Sequence, residues 1–170
     1  MIKNKTLLKT LLSVTLVICF SRPVFATETY SWYFKPTTDG TQPVCTPEAN
    51  FIDEYDVLYL GKSDEKKIYL TFDAGYENGN VEKILDIMKK HDVKSAFFVL
   101  PQIVKANTEL VLRMKNEGHL VCNHTKSHRD MSKVYDLETF ESEIKGAEDA
   151  LREFTGLEMD KYYRPPQGAF

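Results

Sequence analysis

One stretch restricts the possible folds of this chain more than any other: Lys66-Lys67-Ile68-Tyr69-Leu70-Thr71-Phe72-Asp73-Ala74-Gly75-Tyr76-Glu77-Asn78-Gly79-Asn80. A β-branched and aromatic run ends in an aspartate, and glycines and asparagines then break the chain before a helical pattern begins. Such a unit places the Asp73 carboxylate at the carboxyl end of a strand, where parallel α/β folds carry their chemistry. An aspartate after a strand is more often a turn former or a helix cap, so its weight depends on what other strands bring beside it.

Beyond Asn80 the pattern alternates. Val81, Ile84, Leu85 and Met88 recur at helical spacing and predict a helix to about His91. Ser95 to Leu100 is a short apolar run of the buried parallel-strand kind. A second helix is expected over Thr108 to Glu117, with Leu110, Val111 and Met114 inward and Gly118 as its stop. A strand over His119 to Asn123 follows, then a long helix near Asp136 to Thr155. That helix carries a stripe of Leu137, Phe140, Ile144, Ala147, Leu151 and Phe154 and stops at Gly156. A last short strand, Lys161 to Tyr163, runs into Arg164-Pro165-Pro166. Four strands with helices between them imply right-handed crossovers and an α/β fold, either an open parallel sheet or part of a barrel.

The residues before this unit are of two kinds. Lys3, Lys5 and Lys9, the apolar run Leu11 to Phe20 and the small-residue site Val24-Phe25-Ala26 make residues 1–26 a secretory signal peptide, with a retained anchor as the second reading. Ile18 before Cys19 argues against lipidation there. Residues 27–65 mix aromatics with turn signals such as Asp39-Gly40, and are read as an arm that packs its rings on the following domain. The leader holds four of the 22 bases and none of the 25 acids, so the mature chain has 18 bases against 25 acids, formally -7. This balance disfavours a nucleic-acid partner, because phosphate binding relies on clustered Lys and Arg. Export permits a disulfide between Cys45 and Cys122, and buried free thiols are the equal alternative.

The chemistry-bearing residues follow strands. His124-Thr125-Lys126-Ser127-His128 lies just past the third strand, and two imidazoles four apart on a turn can face one cation. Arg164, after the fourth strand, can hold the Asp73 carboxylate by charge-assisted hydrogen bonds. Pro165 and Pro166 stiffen the next turn, so that backbone N–H groups near Gln167 and Gly168 can face a developing oxyanion. Each piece alone is better explained as ordinary surface or turn sequence. His91 and His119 are assigned surface and strand-start roles.

Taken together and in this order, Thr71-Phe72-Asp73, His124-x-x-x-His128 and Arg164-Pro165-Pro166-x-Gly168 resemble the first three motifs of the polysaccharide deacetylase family of carbohydrate esterases. The resemblance covers about Lys66 to Phe170 and implies a distorted (β/α) barrel and metal-assisted removal of acetate from N-acetylated sugars. Thr71 to Gly79 looks like the branch acting on muramic acid in spore-cortex peptidoglycan, the delta-lactam-biosynthetic deacetylases. The implied partner is a peptidoglycan glycan strand outside the cytoplasm, on the cell-wall or spore-cortex side, with membrane contact only through the leader. Asp73 is the implied general base, Arg164 its orienting partner, and His124 and His128 the ligands of a divalent metal, zinc first.

Two departures matter. Most family members carry a second, metal-ligating aspartate where this chain has Ala74, so the metal is expected to be weakly held or optional. Gln167 stands where a tyrosine is common. The family's general acid is a histidine of a later motif, which this chain does not contain. Residues 66–170 number 105, against roughly 200 or more for a closed barrel; the chain is therefore expected to be an amino-terminal fragment, poorly folded and inactive by itself. Ala74 also motivates an alternative, a deacetylase-like glycan-binding module that has lost catalysis, and a metal hydrolase of another amide is a weaker rival.

Overall fold

The computed structural model describes residues 29–170; the leader inferred over residues 1–26 lies outside them. The arm is not wholly irregular. Its strands β1 (Phe34–Lys35) and β2 (Val44–Cys45) pair antiparallel, and a 3-10 turn spans Asn50–Glu54. The body then alternates: β3 (Thr71–Ala74), α1 (Val81–Lys90), β4 (Ala96–Val99), α2 (Pro101–Ala106), α3 (Thr108–Asn116), β5 (Leu120–Asn123), α4 (Leu137–Thr155) and β6 (Asp160–Tyr163). The last four strands to be formed from this body, β3 to β6, make one parallel sheet in sequence order. This α/β arrangement is the one the alternation of periods predicts.

Register sorts the side chains. Phe72, Phe97 and Val121 are aligned across three strands, as are Asp73, Phe98 and Cys122 one residue on. Strand alternation therefore puts these two rows on opposite faces. The first row, with Ala74 and Val99, joins Leu85 and Met88 of α1, Ile103 and Val104 of α2, Val111 and Met114 of α3, and Ala147 and Leu151 of α4 in one core. Phe72 stacks on Phe97 at 5.1 Å. The second row looks the other way and carries the polar site. Among the described residues, no helix is long and apolar enough to cross a membrane.

Several boundaries differ from expectation for physical reasons. The run from Lys66 enters the sheet only at Thr71, because β4 starts at Ala96, whose N–H donates to Leu70 O at 3.3 Å; Ile68 and Tyr69 stay exposed. Helix α2 was hidden behind Pro101, which closes the strand run but also fits the first turn of a helix. In α4 only Ala147 and Leu151 of the expected stripe are buried, while Leu137, Phe140 and Phe154 are exposed. A 19-residue helix is about 28 Å long and a four-residue strand about 13 Å, so both ends of α4 overhang the sheet. Asp136 caps α4 by accepting from Thr139 N at 2.7 Å, and Gly156 closes it at φ +73.

Between β5 and β6 the register slips, so that Cys122 faces Asp160 and Asn123 faces Tyr163. The Asp160 carboxylate fills the gap, accepting from Val121 N at 2.7 Å and Lys115 Nζ at 2.8 Å. Cys45 and Cys122 are both buried free thiols; burial pushes the Cys122 thiol up to about 12, which keeps it protonated and inert. His119 is more than a strand-start residue. It is buried, accepts from Ser95 N through Nδ1 at 3.2 Å, and burial lowers its pKa.

Candidate active site

Because the sheet is parallel, the segments leaving β3, β5 and β6 emerge at one end. Arg164 ties them together. Its Nη1 donates to Asp73 Oδ1 at 2.7 Å and its Nη2 to Thr71 Oγ1 at 2.8 Å. The guanidinium lies 4.1 Å above the centroid of the Phe98 ring, the middle member of the row that carries Asp73. Its backbone N–H donates to Asn123 O at 3.0 Å, and its own carbonyl accepts from His124 Nδ1 at 2.9 Å.

That last bond decides the tautomer of His124. A carbonyl can only accept, so Nδ1 carries the proton and Nε2 keeps a free lone pair. Nε2 points toward Asp73, 3.9 Å from Oδ2. Burial lowers the pKa of His124 against the opposing pull of Asp73, so the ring is neutral at pH 7. The ring of His128 lies 5.1 Å from that of His124, at the exposed end of the loop. Asp73, His124, His128 and Arg164 are therefore brought together at one end of the sheet. Gln167 and Gly168 follow Arg164 in a tight turn over Pro166–Gly168, and the contacts of Gly168 run to Trp32 of the arm.

The loop between the two histidines is bent against its own preferences. Thr125 and His128 both have left-handed backbones, φ 71 and φ 57, and a β-branched residue there is a genuine outlier. Such strain costs about 1–3 kcal/mol per residue and lasts only when surroundings impose it. Here Asn123 Oδ1 accepts from Thr125 N at 2.8 Å while its Nδ2 donates to Ile144 O at 2.9 Å. Thr125 Oγ1 accepts from His128 N at 3.0 Å. Glu143 of α4 accepts from Ser127 N at 2.9 Å and from Ser127 Oγ at 2.7 Å, with Arg129 Nε 3.4 Å away.

Sequence reasoning missed Thr71, Phe98, Asn123, Thr125 and Glu143. Thr71 and Phe98 were legible as positions on the Asp73 face by strand alternation. Glu143 was not, since it sits beside the apolar stripe of an amphipathic helix as a solvated acid would, yet it is 6% exposed.

The sequence profile described as polysaccharide deacetylase matches residues 60–170. The chain belongs to that family. It is 39% identical over 144 residues to the peptidoglycan-N-acetylmuramic acid deacetylase PdaA of Bacillus subtilis, covering 84% of this chain and 54% of the relative. It is 34% identical over 119 residues to a Bacillus cereus peptidoglycan-N-acetylglucosamine deacetylase, covering 70% and 42%. The solved structure of Bacillus subtilis PdaA, a family 4 carbohydrate esterase, superposes with a TM-score of 0.78 at 39% identity, over 85% of this chain and 62% of that one. The chain spans about half the length of the curated relatives it matches.

Proteins of this family are metalloenzymes in general, and the residues present fit such an ion in part. His124 offers a neutral Nε2 held by the bond at Nδ1, and His128 lies beside it. Ala74 offers no ligand and is buried in the core beside Asp73, and among the described residues no group of three or more His, Cys, Asp or Glu side chains is placed to hold a metal. The pair suits a cation whose remaining positions are taken by water or substrate.

Proposed function

We propose that the intact protein removes the acetyl group from an N-acetylated cell-wall sugar, first N-acetylmuramic acid of peptidoglycan, on the path to the muramic delta-lactam of spore cortex. The single observation that carries this reading is the grip of Arg164 on Asp73 at 2.7 Å, with the neutral Nε2 of His124 across from the same carboxylate. Similarity to a muramic acid deacetylase over more of the chain than to a glucosamine deacetylase supports the choice of sugar.

Asp73 accepts a proton from water, whose oxygen adds to the acetamide carbon. The tetrahedral intermediate collapses by breaking the carbon–nitrogen bond, the departing nitrogen takes up a proton, and acetate and a free amine remain. Arg164 occupies one carboxylate oxygen of Asp73 and leaves Oδ2 to take the proton. Backbone N–H groups near Gln167 and Gly168 face the developing oxyanion. His124 and His128 would hold a divalent ion, zinc first, whose chemistry when bound is polarisation of water and carbonyl. The leader at residues 1–26 directs this work to the outer side of the membrane.

Acetate release from purified peptidoglycan by the full-length protein tests the reading. Asp73→Asn is expected to lower the rate by about 10²–10⁴-fold, and mass analysis of the glycan places the lost acetyl on muramic acid or glucosamine. Ala74 favours a second reading, a glycan-binding module without catalysis; binding to the same glycan with no acetate from the wild type would establish it.

A further inference from the structure

We propose that the arm segment Tyr30–Trp32 is a positioning element for the loop Gln167–Phe170, with Trp32 as the side chain that holds the loop in its working shape. The two segments pair as short antiparallel strands. Trp32 N donates to Gly168 O at 2.6 Å, Tyr30 N donates to Phe170 O at 2.9 Å, and Phe170 N returns to Tyr30 O at 3.1 Å. Ser31 and Ala169 face each other between these bonds.

The loop needs such a restraint. Gln167 sits at φ 62 and ψ 2, a left-handed conformation that a non-glycine residue holds only when its surroundings impose it. No side chain caps the turn. Gly168, at φ +65, lies so close to the arm that a Cβ there would stand 3.3 Å from Trp32 Cβ. Trp32 is itself fixed, edge-on to Tyr59 at 5.3 Å and tilted against Phe170 at 6.1 Å, while Tyr30 and Phe170 both pack on Phe51. Its ring thus takes part in this packing. Four residues before Gly168, Arg164 holds Asp73, so a shift of the loop reaches both the oxyanion donors and the base.

The functional half of this inference rests on the deacetylase reading above; the structural half does not. In the full-length protein, Trp32→Ala is expected to lower kcat for acetate release about ten- to a hundredfold with KM within twofold of wild type. Amide exchange in a peptide covering 165–170 should rise in the same variant, and Trp32→Phe should restore most of both. Unchanged kcat in a wild type that is active, or a rise in KM alone, overturns the positioning role, as does unchanged exchange at 165–170. If Trp32→Ala loses its cooperative melt, Gly168→Ala carries the test, since its methyl group presses on Trp32 from the other side. A wild type that releases no acetate, together with loosened 165–170 in Trp32→Ala, sinks the deacetylase reading and upholds the grip.

Discussion

The loop that carries His124 and His128 and the loop that follows Arg164 are both bent into left-handed backbone at non-glycine residues, and they are held by opposite means. The first is fastened from below by side chains of its own neighbourhood: Asn123 at its root, Thr125 within it, and Glu143 only 16 residues beyond Ser127. The second has no side-chain cap and is fastened by backbone pairing with Tyr30–Trp32, from the far end of the described chain. The difference teaches that strain at the edge carrying the candidate site can be imposed either by a few buried polar groups or by a remote segment laid alongside, and that the two should fail differently. A side-chain clamp fails when one donor or acceptor is removed. A backbone clamp fails when the ring that seats the clamping segment, here Trp32, is truncated or when an added atom alters the spacing, and it tolerates other side-chain changes.

The largest expected effect follows from Glu143→Ala, which removes the buried carboxylate that holds the exposed Ser127 through both N and Oγ. It should cost about 2–4 kcal/mol in urea unfolding and raise amide exchange at 124–128 while leaving 165–170 as it was; equal loosening of both loops would break the contrast. Asn123→Ala removes one acceptor and one donor from the same loop and should cost about 1–3 kcal/mol. Gly168→Ala tests the other clamp. A methyl group at φ +65, 3.3 Å from Trp32, should cost about 1 kcal/mol and loosen 165–170 alone, as exchange would report.

Acid separates the loops with the smallest energy. Burial lowers the pKa of His124 below its ordinary 6.5, so the fold favours the neutral ring. That contribution is complete above pH 6.5 and is lost as pH falls from there toward the folded-state value. His119 adds a global loss of the same sign. Residues 165–170 contain no titratable side chain. A step from pH 7 to pH 6 should therefore cost well under 1 kcal/mol per histidine and raise exchange at 124–128 more than at 165–170; the reverse order would show that the second loop leans on the first.

Much of the body was legible. Hydrophobic periods placed α1, α3, α4, β4, β5 and β6 within a residue or two, because each is decided by which side chains can reach a common face, whereas β3 begins five residues into the run from Lys66. Glu143 was not legible, since its meaning depends on a strained loop whose strain appears only when folded. Helix α2 was lost behind Pro101, and the inward reach of α4 was overestimated because the shortness of the strands beside it is a property of the sheet.

Local order along the chain therefore settled where the polar residues would appear: each follows a strand, and a parallel sheet sends all its strand ends one way. Sequence could also mark Arg164 as a partner for Asp73, because opposite charges at one end of a sheet attract. Only the tertiary structure decided that the Arg164 carbonyl selects the tautomer of His124, and that the aromatic arm reaches back to pair with Gly168 and Phe170. Backbone hydrogen bonds between distant segments leave no trace in residue identity, since every residue but proline carries the same donor and acceptor.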